Sequence, residues 1–80
     1  MEEFVRGVLQ EILDLDEETV EGLSVDSDLI EFGLDSLKAI ELVVHIEDNY
    51  DIIILDDDLL IDNISTIEKI MDMIKRYIED

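Results

Sequence analysis

Cysteine, proline and tryptophan are absent from these 80 residues, glycine occurs three times, and only five side chains are Lys or Arg. Each shortage removes a class of answer. Without cysteine there is no disulfide framework, no thiolate metal site and no thiol of the chain's own for covalent chemistry. Five basic residues stand against 24 acidic ones, a net charge of −19. That argues against nucleic acid as a partner, because phosphate backbones are held by Lys and Arg. Anionic membrane surfaces are disfavoured for the same reason. The longest apolar run, Ile52-Ile53-Ile54-Leu55, falls far short of the ~20 residues of a membrane span. The opening Met1-Glu2-Glu3-Phe4 lacks the basic region of a secretion signal, so a cytoplasmic protein is expected. No stretch alternates cleanly between apolar and polar residues, and no internal repeat is visible.

What is present points to helices. Hydrophobic residues make up 48% of the chain and recur at helical spacing, which argues for a folded protein rather than a disordered one. The length allows one small domain over residues 1–80, burying about 60% or a little more of its unfolded surface. The spacing predicts an all-α fold: a small four-helix bundle with three longer helices, one short third helix and a long first loop.

Phe4, Val5, Val8, Leu9, Ile12 and Leu13 repeat as pairs every four residues and predict a first helix over residues 2–13. Residues 14–35 form the long connection. Its scattered Leu15, Val20, Leu23, Val25, Leu29, Ile30, Phe32 and Leu34 suggest a loop pinned onto the helices, with a helical turn near 17–21 and Phe32 as an anchor. A second helix is predicted over 36–50, with Ala39, Leu42, Val43, Ile46 and Tyr50 toward the core. Leu37, Ile40 and Val44 lie on an adjacent face with Glu41, Glu47 and Asp48, a mixture that reads as a partner surface. Ile52-Ile53-Ile54-Leu55 resembles a strand but has no partner strand. Asp56-Asp57-Asp58 before Leu59-Leu60-Ile61 reads as the short third helix with an acidic first turn. Ser65-Thr66-Ile67-Glu68 fits a capping box opening the last helix, with Glu68 reaching back to the Ser65 amide. Ile67, Ile70, Met71, Ile74 and Ile78 mark that helix's buried face.

The chain is organised around Gly33-Leu34-Asp35-Ser36-Leu37. Asp35 can cap a helix by accepting from the backbone N–H groups of its first turn. Ser36 then falls in that turn, where the helix dipole is positive and a phosphate is welcome. Such a serine is a hydroxyl displayed for modification. It is a poor nucleophile of its own, because a catalytic serine needs a base within hydrogen-bond reach. The single histidine, His45, lies nine residues along the same helix, ~13 Å away by rise. No Gly-x-Ser-x-Gly elbow occurs. No catalytic residue is therefore assigned. Asp14, Asp16 and Glu18 begin a calcium-loop spacing, but Thr19 and Val25 occupy the positions where that loop demands Gly and Glu. No metal site is assigned either.

The run Asp28-Leu29-Ile30-Glu31-Phe32-Gly33-Leu34-Asp35-Ser36-Leu37-Lys38-Ala39-Ile40-Glu41-Leu42 resembles the attachment motif of acyl carrier proteins. The likeness runs over the whole chain, through a Tyr50-Asp51-Ile52 step to Ile64-Ser65-Thr66-Ile67 before the last helix. The resemblance implies that Ser36, flanked by Asp35 and Leu37, is esterified by 4′-phosphopantetheine from coenzyme A. A separate phosphopantetheinyl transferase using Mg²⁺ would do this. It implies a carrier rather than an enzyme, with acyl groups held as thioesters on the imported thiol. The family's recognition surface matches Asp35, Leu37, Ile40, Glu41, Val44, Glu47 and Asp48, with Ile54 and Asp56 before the third helix. That surface would meet acyl-loading and acyl-processing enzymes through their basic patches. The resemblance also implies a core that opens around cargo, with Val43, Ile46, Leu59 and Ile61 as lining candidates. A discrete, monomeric carrier for fatty-acid or polyketide-type synthesis is the expectation. The alternative is an aminoacyl or peptidyl carrier loaded by an adenylating ligase. Lys38 replaces an acid usual in fatty-acid carriers, and Leu55 replaces a usual proline, which leaves the pathway open.

Overall fold

The computed structural model describes residues 1–55 and 60–79. Among these residues four α-helices run in the order α1 (Glu2–Ile12), α2 (Glu17–Gly22), α3 (Ser36–Tyr50) and α4 (Ile67–Ile78), with 3-10 turns at Leu29–Phe32 and Ile61–Asn63. No strand occurs among the described residues, and the Ile52-to-Leu55 run is irregular. The all-helical bundle is as expected, and among the described residues a short α-helix, α2, sits in the first connection. Between α3 and α4 the described residues show only the 3-10 turn; residues 56–59, where the short third helix was expected to begin, lie outside them. No helix among the described residues is long and apolar enough to cross a membrane.

Helix α1 buries Val5, Val8, Leu9 and Ile12, the stripe its spacing dictates. Glu2 and Glu3 sit in its first turn, at the positive end of the dipole. Ala39, Leu42, Val43 and Ile46 of α3 meet this stripe, together with Ile67, Ile70, Met73 and Ile74 of α4. Across the outer edge, the Phe4 and Tyr50 rings meet edge to face at 5.4 Å, a favoured aromatic geometry. No polar or charged residue is buried in the described core.

The last helix corrects two expectations. Its cap is Thr66, not Ser65: the Thr66 hydroxyl accepts from the Lys69 amide at 3.1 Å. The Glu68 amide, from which a Ser65 cap would accept, instead donates to Val25 O at 2.9 Å, and the helix begins one residue later than expected. On the buried face, Met73 replaces Met71, which is half-buried, and Ile78 is exposed in the last turn.

The first connection is pinned throughout. Asp16 caps α2 by accepting from the Thr19 amide at 2.7 Å. The Arg6 guanidinium donates to Val20 O at 2.7 Å while pairing with Glu2 at 2.9 Å, which ties α2 to α1. The Leu29 amide donates to Ser65 O at 2.8 Å, and Leu23, Leu29 and Leu34 are buried. Together these bonds fix where the chain enters α3.

Candidate functional site

The site is set by a turn that only a few residues can make. Asp28 accepts from the Ile30 amide at 3.0 Å and starts the Leu29–Phe32 turn. Gly33 ends it at φ 105°, ψ 4°, where a Cβ would be strained. Leu34 then plugs into the core, and Asp35 leaves it in an extended conformation. The Asp35 carboxylate accepts from the Lys38 amide at 2.8 Å, as a helix cap does. With the chain held at Leu34 and capped at Asp35, Ser36 becomes the first residue of the 15-residue α3.

Ser36 is exposed, and its hydroxyl engages no partner among the described residues. The amides of Ser36 and Leu37 are likewise unpaired there, because the cap serves Lys38. An oxyanion on Ser36 Oγ would meet two N–H groups at the positive end of a helix dipole. The one histidine is not near: His45 lies farther along α3, with Nε2 at 4.0 Å from Glu11 Oε2 on α1. No group of three or more His, Cys, Asp or Glu among the described residues is arranged to hold a metal ion.

Below Ser36, α3 presents the expected exposed aliphatics: Leu37, Ile40 and Val44 are 68%, 59% and 52% accessible. Asp35, Glu41 and Asp48 are exposed around them. Two residues do not fit the expected surface. Ile54 is only 4% accessible and belongs to the core, because the irregular segment after α3 turns it inward between exposed Ile53 and Leu55. Glu47 is half-buried, and its carboxylate accepts from the Ile54 amide at 2.9 Å. Asp56 lies outside the described residues. Lys38 lies 3.8 Å from Glu41 across one helix turn, an exposed pair of small energetic weight.

A cleft of about 670 Å³ lies beside the serine. Ser36, Ile40, Val43 and Val44 of α3 and Ile54, Leu60 and Ile61 line it. Val43 and Ile61 stand where the sequence suggested. Ile46 does not: it is fully buried against the other helices. Leu59 lies outside the described residues. Sequence reasoning missed Leu60 as a wall, and missed the Glu47 bond. No local rule links residues seven apart across a helix end, so neither had a signal to find.

The arrangement suits a covalent appendage on Ser36. The hydroxyl is free, two amides await an anion, and a chain growing from Oγ finds an apolar cleft next to it. A 4′-phosphopantetheine group fits these residues: Ser36 Oγ would bear its phosphate, with the Ser36 and Leu37 amides toward the phosphate oxygens.

A family model for the phosphopantetheine attachment site matches residues 3–74. The acyl carrier protein of Karelsulcia muelleri (strain GWSS) is 33% identical over 76 residues, covering 95% of this chain and 87% of that protein. No solved structure gave a significant match. The free serine, the cap before it and these two likenesses converge on one conclusion: this chain belongs to the acyl carrier protein family, whose members are carriers rather than enzymes and bear 4′-phosphopantetheine.

Proposed function

We propose that Ser36 is the attachment residue and that the chain, as a single monomeric domain in the cytoplasm, carries aliphatic acyl intermediates for fatty-acid or polyketide-type synthesis. The observation that carries this reading is the free Ser36 hydroxyl at the head of α3, within the matched residues and lining an aliphatic cleft. When bound, the group supplies a terminal thiol that holds acyl chains as thioesters, which a chain without cysteine cannot supply itself.

The chain's own residues do the rest. Asp35 holds the start of α3 and, by taking the Lys38 amide, leaves the Ser36 and Leu37 amides for phosphate oxygens. Leu37, Ile40 and Val44 offer an apolar strip to the transferase and to acyl-processing enzymes. Asp35, Glu41 and Asp48 steer basic patches toward that strip. Val43, Val44, Ile54, Leu60 and Ile61 give the cleft mostly aliphatic walls, with Glu47 also lining it, and such walls suit a saturated chain.

The test is loading. Wild-type protein incubated with coenzyme A, Mg²⁺ and a broad-range phosphopantetheinyl transferase is expected to gain one phosphopantetheine group by intact mass, and Ser36→Ala none. A gain that survives Ser36→Ala rejects the assignment. Offering octanoyl-, malonyl- and aminoacyl-coenzyme A in parallel, and following thioester protection from hydroxylamine, separates the cargo classes. Best protection of the octanoyl thioester is expected.

A further inference from the structure

Two concavities flank α3. The cleft lined by Ser36 faces the segment that follows the helix. A second groove, of about 420 Å³, lies between α3 and α1. Glu11 and Ile12 of α1 line it on one side, and Lys38 and His45 of α3 on the other. Ile40 and Val44 line both concavities and form the ridge between them. A chain growing from Ser36 Oγ therefore has the cleft on one side of that ridge and a groove with a primary amine on the other.

The chain has three side-chain amines, Lys38, Lys69 and Lys75, and they are placed differently. Lys69 donates its Nζ to Asp62 O at 2.9 Å. Lys75 stands in the last turn of α4. That is the end where the Tyr77 hydroxyl accepts the Leu55 amide at 3.0 Å, beyond the exit from α3. Lys38 is in the first turn of α3, two residues after Ser36 and ~3 Å farther along the axis. Its side chain is 38% accessible, and its Nζ lies 3.8 Å from Glu41, too far for a hydrogen bond. Lys38 is thus the amine nearest Ser36 along the helix, and no hydrogen bond holds it among the described residues.

A thioester is an activated acyl group, and an uncharged amine is a nucleophile toward it. A pantetheine chain is longer than one helix turn of ~5.4 Å, so its terminal thioester can fold back to the start of α3. A short flexible tether gives an effective concentration on the order of millimolar, about a hundredfold above that of the other chains in a ~10 μM sample. The step balances within one chain. The lone pair of uncharged Lys38 Nζ attacks the thioester carbonyl carbon, the C–N bond forms and the C–S bond breaks. Sulfur leaves with the electron pair and takes up the proton that nitrogen loses. Thioester and amine become amide and thiol, with no other reactant.

We propose that Lys38 is a self-acylation site: an acyl group held on the Ser36 arm passes to Lys38 Nζ of the same chain. The transfer discharges the carrier, leaves a stable amide on α3 and removes the lysine charge beside Leu37 and Ile40. The proposal rests on Ser36 as the attachment residue, which its test reads first.

Full-length protein is loaded with acetyl-coenzyme A, Mg²⁺ and a broad-range phosphopantetheinyl transferase, then freed of reagents by gel filtration. Intact mass reads the loading. The loaded protein is held in mildly alkaline buffer and sampled over time. Hydroxylamine strips thioesters and leaves amides, so the resistant acetyl group is counted by intact mass and placed by tandem mass spectrometry. It is expected on Lys38, in a first-order process whose rate is unchanged on dilution. Lys38→Arg keeps the charge and the backbone amide held by Asp35, and is expected to lose most of the resistant acetyl. Ser36→Ala protein mixed with loaded wild type is expected to stay unlabelled at Lys38. Resistant acetyl chiefly on Lys69 or Lys75 overturns the proposal. So does a rate that falls on dilution, or a thioester that only hydrolyses. A chain that gains no acetyl-phosphopantetheine at the first step sinks the Ser36 reading and the proposal with it. A chain that loads and does not transfer sinks the proposal alone.

Discussion

Residues 13–35 lead into α3 and residues 51–55 lead out of it, and the two connections are held by different means. The entry is tied to α1 and to the start of α4. Arg6 of α1 holds Val20 O, Val25 O takes the Glu68 amide of α4, and Leu29 N reaches Ser65 O. Its own carboxylates cap its turns, and Leu23, Leu29 and Leu34 are core residues. The exit buries Ile54 but leaves Ile53 and Leu55 to solvent, and it hangs from Glu47 and Tyr77. On the proposed function the difference suits two tasks: a fixed address for the serine, and a more lightly held wall for the cleft beside it.

The largest effect that can test this contrast is in the core. Leu29→Ala, in the entry, is expected to cost about 2–5 kcal/mol, as a buried leucine does. Ile53→Ala, in the exit and 81% accessible, is expected to stay within ~0.5 kcal/mol. Urea unfolding followed by circular dichroism measures both. Should the first variant fail to fold, Leu29→Val gives a smaller version of the same comparison. Similar costs at the two sites would erase the contrast.

Caps come next. Asp35→Ala and Thr66→Ala are each expected to cost about 1 kcal/mol. Ser65→Ala, which loses only a 3.4 Å bond to Asp62 O, is expected to cost less than about 0.5 kcal/mol. A larger loss from Ser65 than from Thr66 would restore the box pattern that the sequence proposes.

The smallest effect is in acid. Hydrogen bonds from the Thr19 hydroxyl, and secondarily from its amide, favour ionised Asp16 and hold its pKa below the ordinary aspartate value. A lowered folded-state pKa means a contribution fully present above the unfolded value and lost as pH falls through the folded one. Protection of the Thr19 amide is therefore expected to hold from neutral pH down to the usual aspartate range and to fade below it. Asp16→Asn is expected to remove that pH dependence.

Much of this was legible because it is local. Asp35 as cap, Ser36 as first residue and α3 through Tyr50 follow from side-chain-to-backbone chemistry within one turn and from apolar spacing over four. Exposed Leu37, Ile40 and Val44 follow from the same spacing. What escaped was decided by contacts far apart in sequence. Ser65 and Thr66 are both competent caps. The choice between them falls to Leu29 and Val25, which engage Ser65 O and the Glu68 amide from the entry connection. Met71 and Met73 fit the pattern about equally well, and the pose of α4 against α1 and α3 selects Met73. Ile54 lies in a segment with no period, so nothing in the run of isoleucines marks which one turns inward. The bond from Glu47 that turns it spans a helix end.

The most direct test of Ser36 as the carrying residue is to find which hydroxyl bears the group. The chain has four serines, Ser24, Ser27, Ser36 and Ser65. Protein loaded by transferase and coenzyme A can be digested and each serine read by tandem mass spectrometry. The expected result is phosphopantetheine on Ser36 and on no other residue. The group found on Ser24, Ser27 or Ser65, or no group on fully folded protein, would contradict it.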